Sequence, residues 1–75
     1  MNILVIADAQ RYDELQQRDL SRHQVQWKTS LEEVLSVKAF DLVIDLIFDD
    51  RPEHAAVYAK NPGVPVLAGM VKTSL

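Results

Sequence analysis

Four short apolar segments recur along the chain, separated by polar and charged ones. They are Ile3–Ile6, Gln24–Lys28, Leu42–Phe48 and Val64–Met70. The first and third are nearly continuous aliphatic runs, interrupted only by Asp45, as in strands that are buried on both faces of a parallel sheet. The second alternates apolar and polar residues, which predicts a strand with one wetter face. The pattern therefore predicts four strands.

The intervening segments predict three helices. The first, Arg11–Leu20, is short and polar, and the second, Ser30–Phe40, places Glu33 three residues after its first serine, which is the spacing of a capping box. The third follows Asp50, which can cap it, and ends at Asn61 before proline and glycine. The apolar positions expected to face the sheet are Tyr12, Leu15 and Leu20 in the first helix and Leu31, Val34, Leu35 and Val37 in the second.

Strands that alternate with helices predict one α/β domain over residues 1–75, with a four-stranded parallel sheet. We expect the strand order 2-1-3-4. Right-handed crossovers then place the first helix on one face of the sheet and the other two helices on the opposite face, giving three layers. Ligands of such sheets bind at the carboxyl ends of the strands, where the strand order reverses. That point should lie beside Ala7-Asp8 and Asp49-Asp50.

Composition narrows the class of protein. The chain has 75 residues, 48% of them hydrophobic, with no cysteine and a net charge of −3. This hydrophobic content excludes a disordered chain, and the absence of cysteine excludes a disulfide scaffold. The sequence has no cluster of basic residues, which argues against nucleic-acid binding. No apolar run approaches the roughly 20 residues of a membrane span, and no signal peptide is evident, so we expect a cytoplasmic protein.

The segment Asp41–Lys60, "DLVIDLIFDDRPEHAAVYAK", resembles part of the NAD-binding domain of 3-hydroxyacyl-CoA dehydrogenases. That family typically reads D-L-V-I-E-A-V-x-E-D, then three residues to a lysine, and then a phenylalanine. On this pattern Asp45 and Asp49 fall on the two glutamates, His54 on the lysine and Tyr58 on the phenylalanine. The tail is similar to the family's A-x-N-T-S-S-L, with Thr73, Ser74 and Leu75 on the last three positions. The resemblance implies a minimal Rossmann-like domain. The positions equivalent to the family's cofactor site are Ala7, Ala9, Gln10, Arg11, Asp49 and His54.

The chain departs from the family where function resides. Ala7, Ala9 and Tyr12 replace the three fingerprint glycines, and Thr29 falls near the acid that would bind the adenosine ribose. Tyrosine at the third glycine is expected to obstruct close packing of the helix on the strand. The family's catalytic histidine and its acidic partner have no counterpart here. We therefore expect no hydride transfer by this chain alone.

Charge at the first turn also opposes a phosphate ligand. A helix start offers about half a positive charge to an anion. Asp8, Asp13 and Glu14 add three negative charges there, against Arg11. Each unit charge at about 4–8 Å amounts to roughly 2–4 kcal/mol at an effective dielectric near 20. We expect this turn to bind pyrophosphate weakly or not at all, so no cofactor is predicted, and NAD is the candidate if one binds.

Each of the remaining polar residues has a ligand-binding interpretation and a structural one. Arg11 can clasp a phosphate, but an ion pair with Asp8 or Glu14 is the expected arrangement. Asp8, Asp49 and Asp50 can bind Mg²⁺, but a solvated acidic rim with helix caps is expected, and no metal site is predicted. His54 is expected at the surface of its helix.

A receiver domain also carries acids after its first strand and a late lysine, which Lys72 matches. In receivers, however, the phosphorylated aspartate usually comes five residues after the first aspartate of the third strand. That position is Leu46, whereas Asp45 is one residue earlier. A shift of one residue on a strand points the side chain to the opposite face of the sheet. The register therefore favours the dehydrogenase-like interpretation.

One face of the expected sheet carries a single helix over four strands. The third and fourth strands are too apolar to leave that face in water. We therefore predict that a second copy in a homodimer, or else a partner protein, covers this bare face. The preferred hypothesis is a non-catalytic, self-associating, reduced dinucleotide-fold domain. The alternatives are a weak nucleotide- or CoA-binding domain that acts with a separate catalytic chain, and a receiver-like or Mg²⁺-binding signalling domain.

Overall fold

The computed structural model describes residues 1–16 and 22–68. Its strands are β1 (Asn2–Ile6), β2 (Gln24–Lys28), β3 (Leu42–Asp45) and β4 (Val66–Ala68). They form one parallel sheet in the order β2-β1-β3-β4, which confirms the predicted α/β class and the order 2-1-3-4. Several predicted features lie outside the described residues, namely Leu20, the end of the fourth strand at Gly69-Met70, Lys72 and the tail Thr73–Leu75.

The register of the sheet brings the carboxyl ends of the strands together. Ile6 at the end of β1 pairs with Lys28 of β2 on one side and with Asp45 of β3 on the other. Asp45 in turn pairs with Ala68 at the end of β4. The segments that follow β1, β2 and β3 therefore leave from one edge of the sheet, which is where parallel sheets place their ligands.

Two α-helices are present in the described part of the chain, α1 (Ala9–Gln16) and α2 (His54–Ala59). The predicted second helix is wrong, because the segment forms two 3₁₀ helices, Leu31–Glu33 and Val37–Ala39. Ser36 lies between them, and its hydroxyl accepts the N–H of Lys38. A serine that bonds its own neighbouring backbone competes with continuation of an α-helix.

The predicted capping box is not formed as expected. The Ser30 hydroxyl accepts the N–H of Glu32 rather than that of Glu33. The Glu33 carboxylate accepts the hydroxyl of Thr29 at 3.0 Å, so it does not complete the reciprocal bond. Leu35, expected to face the sheet, is fully exposed at 105%, because it falls in the break between the two 3₁₀ helices.

The third helix also begins later than predicted. Asp50 ends a 3₁₀ helix, Phe48–Asp50, and does not cap α2, whose N-cap residue is Glu53. Arg51 then has φ −136° and ψ 73°, outside the helical region. A proline disfavours helical geometry in the residue before it, and Pro52 is that proline. As a result the helix does not extend back through Arg51, and α2 runs from His54 to Ala59.

The core consists of one cluster on each face of the sheet. On one face Leu4, Ile6 and Val43 pack with Leu31 and Val37 of the 3₁₀ helices, together with part of α2. On the other face the cluster consists of Ile3, Val5, Ala7 and Ile44, with Tyr12 and Leu15 of α1 packed against it. This is the three-layer arrangement expected from right-handed crossovers. No helix in the described ranges is long and apolar enough to cross a bilayer.

Candidate functional site at the carboxyl edge of the sheet

The turn between β1 and α1 is closed by its own carboxylate. Asp8 directly precedes α1, and its Oδ1 accepts the backbone N–H of Arg11 at 2.8 Å. This is the bond that a helix-capping side chain makes. In a dinucleotide-binding turn, the amide groups at this helix start point at phosphate oxygens. Here an internal anion occupies one of those amides.

The Arg11 side chain is likewise used within the protein. Its Nη1 donates to the carbonyl of Leu46 at 2.8 Å, which ties α1 to the chain that leaves β3. Its Nε lies 3.8 Å from Asp8 Oδ2, and its Nη1 lies 3.9 Å from Asp50 Oδ2. The ion pair with Asp8 is as predicted. Both pairs are solvated, so each contributes at most about 1 kcal/mol.

Tyr12, at the position of the third fingerprint glycine, is accommodated beside the sheet. Its ring stacks on Trp27 of β2, with the centroids 4.5 Å apart and the planes at 7°. The indole Nε1 of Trp27 donates to the carbonyl of Ala7 at 2.7 Å. The last carbonyl before the turn is therefore capped by a side chain of the neighbouring strand, and the tyrosine ring has an aromatic surface to lie on.

A second polar group is buried on the opposite face of the sheet from α1. Asp45, the last residue of β3, is 0% exposed. Its Oδ2 lies 2.6 Å from His54 Nδ1 and accepts the Tyr58 hydroxyl at 2.6 Å. Its Oδ1 accepts the backbone N–H of Ile47 at 3.1 Å. Burial of a carboxylate is costly unless it is hydrogen-bonded, and this one is bonded on both oxygens.

The expectation that His54 lies at the surface is wrong, because its side chain is only 5% exposed. The late start of α2 explains this. His54 is the first residue of the helix and Tyr58 lies four residues on, so both side chains project from one helix face. That face meets the end of β3. The same arrangement fixes the tyrosine as a donor: burial, the hydrogen bond to Asp45 and the charge of Asp45, in that order, raise the pKa of Tyr58 far above its ordinary value.

The six residues predicted from the family pattern do not form one site. Ala7 is buried at the end of β1, Ala9 and Gln10 are exposed at the start of α1, and Asp49 is exposed in a 3₁₀ helix. Arg11 reaches the end of β3, whereas His54 faces Asp45 within the other layer. Within residues 1–16 and 22–68, no group of three or more histidine, aspartate or glutamate side chains is placed to hold a metal ion.

No family model, curated protein or solved structure matches this chain. The resemblance to the NAD-binding domain of 3-hydroxyacyl-CoA dehydrogenases therefore stays a prediction from the quoted motifs. The Asp45–His54–Tyr58 cluster was not predicted from the sequence. Its signal was a single acid inside an otherwise aliphatic strand, which needs a buried partner.

Proposed function

We propose that this chain is a non-catalytic, self-associating domain that retains the dinucleotide-binding architecture without the open phosphate cradle. The observation that carries the proposal is the Asp8 carboxylate on the first turn of α1, hydrogen-bonded to the Arg11 amide at 2.8 Å. The Arg11 guanidinium, three residues after Asp8, already donates to the Leu46 carbonyl. The Asp8 carboxylate therefore occupies an amide that would bind phosphate, and the Arg11 side chain is already hydrogen-bonded within the protein.

A diphosphate would have to displace these contacts. Loss of a capping side chain costs about 0.5–2 kcal/mol. The displaced Asp8 carboxylate would then remain within several ångströms of the ligand, where like-charge repulsion amounts to roughly 2–4 kcal/mol before screening. The helix terminus returns only about 0.3–1 kcal/mol at an exposed site. The balance disfavours pyrophosphate binding.

Calorimetric titration with NAD⁺, NADH, ATP and CoA tests this part of the proposal. We expect no binding at micromolar ligand. Asp8→Ser keeps a capping hydroxyl and removes the charge, so it should bind these ligands more tightly than the parent. Asp13→Ser, which removes an exposed acid of the same helix that does not cap it, is the matched control and should have a smaller effect. Micromolar binding by the parent would instead favour a nucleotide- or CoA-binding domain that acts with a separate catalytic chain.

The described residues leave part of the sheet uncovered, which supports self-association. Four strands about 4.8 Å apart span about 14 Å, whereas one helix is about 10 Å wide. Tyr12 stacks on Trp27 of β2, so α1 lies toward the β2 side of its face. Exposure on that face rises toward β4, from 9% at Ile44 to 59% at its pairing partner Leu67. We propose that a second copy covers this β4 side.

Sedimentation velocity at micromolar concentration tests the association. We expect a dimer for the parent and a monomer for Leu67→Lys. Leu35→Lys is the matched control, because Leu35 is also an exposed leucine but lies in the break between the 3₁₀ helices. A parent chain that sediments only as an 8.5 kDa monomer would contradict this part of the proposal.

The burial of Asp45 argues against the receiver-like alternative. Both carboxylate oxygens accept hydrogen bonds from groups within the fold, and the residue is 0% exposed. A phosphodonor would have no access to it without opening of the sheet edge. Labelling of the chain by a small phosphodonor in the presence of Mg²⁺, abolished by Asp45→Asn, would restore that alternative.

A further inference from the structure

A small cavity opens beside the buried cluster at the carboxyl edge of the sheet. It has a volume of about 190 Å³ and lies between the 3₁₀ helix that follows β2 and the start of α2. It is on the other side of the sheet from α1, so it is separate from the closed turn at Asp8. Its walls include Leu31, Glu32, Arg51, Glu53, His54 and Val57.

His54 gives this cavity a buried polar group. Its side chain is 5% exposed, and the hydrogen bond recorded for its ring in the described residues is the one from Nδ1 to Asp45. Nε2 is on the far side of the ring from Asp45, and His54 is part of the cavity wall. The hydrogen bond at one ring nitrogen sets the proton position at the other. Because Asp45 accepts from Nδ1, the neutral ring presents a lone pair at Nε2.

The charges around the cavity favour a cation. Glu32 and Glu53 lie in its wall, and the Asp45 carboxylate lies directly behind the imidazole. Among the described residues, Arg51 is the one basic residue in the wall. The surroundings are therefore net negative whether the imidazole is neutral or protonated. The negative potential of these three carboxylates would repel an anion.

The apolar part of the wall suits a short alkyl group. Leu31 is buried and Val57 is half-buried, and both line the cavity. Ligand sites typically combine such apolar walls with a few placed polar groups. An ammonium group has three donors and no acceptor, so it can donate to Nε2 and to carboxylates while its alkyl chain contacts the apolar wall.

We propose that the cavity between the β2-following 3₁₀ helix and α2 is a binding site for a small alkylammonium ion, with His54 Nε2 and the Glu32 and Glu53 carboxylates as acceptors. The binding needs no rearrangement of the closed turn and is compatible with a non-catalytic domain. It extends the proposed function, since a self-associating module would also carry a small-molecule site.

Titration of the ¹⁵N-labelled full chain with n-butylammonium chloride, followed by amide and imidazole NMR shifts, tests this site. We expect saturable shifts at millimolar ligand, at the His54 ring and in the segments that line the cavity, with none at the β1–α1 turn. Glu32→Gln and Glu53→Gln should each weaken binding about two- to fivefold, as expected for a solvated charge pair. Glu14→Gln, an exposed acid on α1, should leave it unchanged.

One neutral analogue and one anionic analogue of n-butylammonium complete the test. n-Butanol has the same alkyl chain without the charge, and butyrate has the opposite charge, so both should bind at least several-fold more weakly. His54→Gln, checked for folding by its amide spectrum, should abolish saturable binding. Equal binding of n-butanol would show an apolar crevice only, tighter binding of butyrate would reverse the charge argument, and no response to n-butylammonium would remove the site. None of these results depends on whether NAD⁺ binds or the chain dimerises.

Discussion

Replacement of Asp45 by asparagine is the sharpest test of the buried cluster. Asparagine keeps the shape of aspartate but has one acceptor oxygen and one donor NH₂ group. Three donors converge on Asp45, from His54, Tyr58 and the Ile47 amide. If the amide oxygen replaces Oδ2, the NH₂ group faces the Ile47 N–H, and in the other orientation it faces His54 and Tyr58. At least one buried donor loses its acceptor.

The expected loss of stability follows from these contacts. An unsatisfied buried donor costs about 1–3 kcal/mol, and the remaining bonds lose roughly half their strength when the charge is removed. Together these give about 3–5 kcal/mol, the range found when one partner of a buried pair is removed. A domain of this length has a total of only about 4–11 kcal/mol at 0.05–0.15 kcal/mol per residue. Asp45→Asn should therefore remove a large share of the stability.

Urea unfolding at neutral pH, followed by far-ultraviolet circular dichroism, measures this change. The midpoint should fall with little change in the slope, which indicates altered stability rather than altered compactness. Asp13→Asn, at an exposed position of α1, should change the free energy of unfolding by less than about 0.5 kcal/mol. A loss of less than about 1 kcal/mol for Asp45→Asn would refute the reasoning, because the three bonds could not then exist in solution as the structure has them.

A double-mutant cycle separates the pair from general damage. Asp45→Asn weakens or breaks the hydrogen bond between Asp45 and His54, and His54→Gln removes the imidazole that makes it. The double variant should therefore lose less stability than the two single losses combined, with a coupling energy of at least about 1 kcal/mol. Strict additivity would show that the two side chains do not interact, even if each single variant is destabilised.

Three further predictions concern other contacts. The neutral form of Tyr58 is favoured in the folded chain, because its pKa is raised there. Its contribution to the free energy of unfolding is therefore complete below about pH 10 and is lost above it, by less than about 1.4 kcal/mol per pH unit for a half-buried group. Urea unfolding at several pH values should show this loss of stability in Tyr12→Phe, which keeps Tyr58, but not in Tyr58→Phe. Ser36→Ala removes the cap of the second 3₁₀ helix and should cost about 0.5–1 kcal/mol by urea unfolding, whereas Ser36→Thr should be nearly neutral. Trp27→Phe keeps a ring against Tyr12 but loses the bond to the Ala7 carbonyl, so its melting temperature should fall by several degrees, equivalent to about 1 kcal/mol.

The sheet was predictable because its signal is carried by many residues at once. Strands β1 and β3 are aliphatic runs that bury both faces. The strands alternate with helical segments along the chain, which predicts a parallel sheet. Loss of any one residue from these patterns would not change the prediction. The acidic turn was predictable for a similar reason, since Asp8 adjoins the helix start in sequence and its capping bond to Arg11 is local.

The helices were less predictable because single residues decided their geometry. Apolar spacing from Leu31 to Val37 is compatible with an α-helix, but Ser36 bonds the Lys38 amide and breaks the segment. The exposed position of Leu35 follows from that break. Propensity summed over a window does not register one local hydrogen bond that outcompetes the next helical turn.

The buried cluster depends on a still finer detail, the residue at which α2 begins. A helix turns by about 100° per residue, so a start one residue earlier with the same docking would rotate His54 and Tyr58 away from Asp45. Pro52 keeps Arg51 out of the helical region, so the helix does not extend back through Arg51, and α2 begins at His54. The strand then supplies a carboxylate that needs donors, and the delayed helix supplies two of them on one face. An acid inside an aliphatic strand, followed by a proline and then by donors spaced four residues apart, is therefore a physical pattern from which this contact could have been predicted.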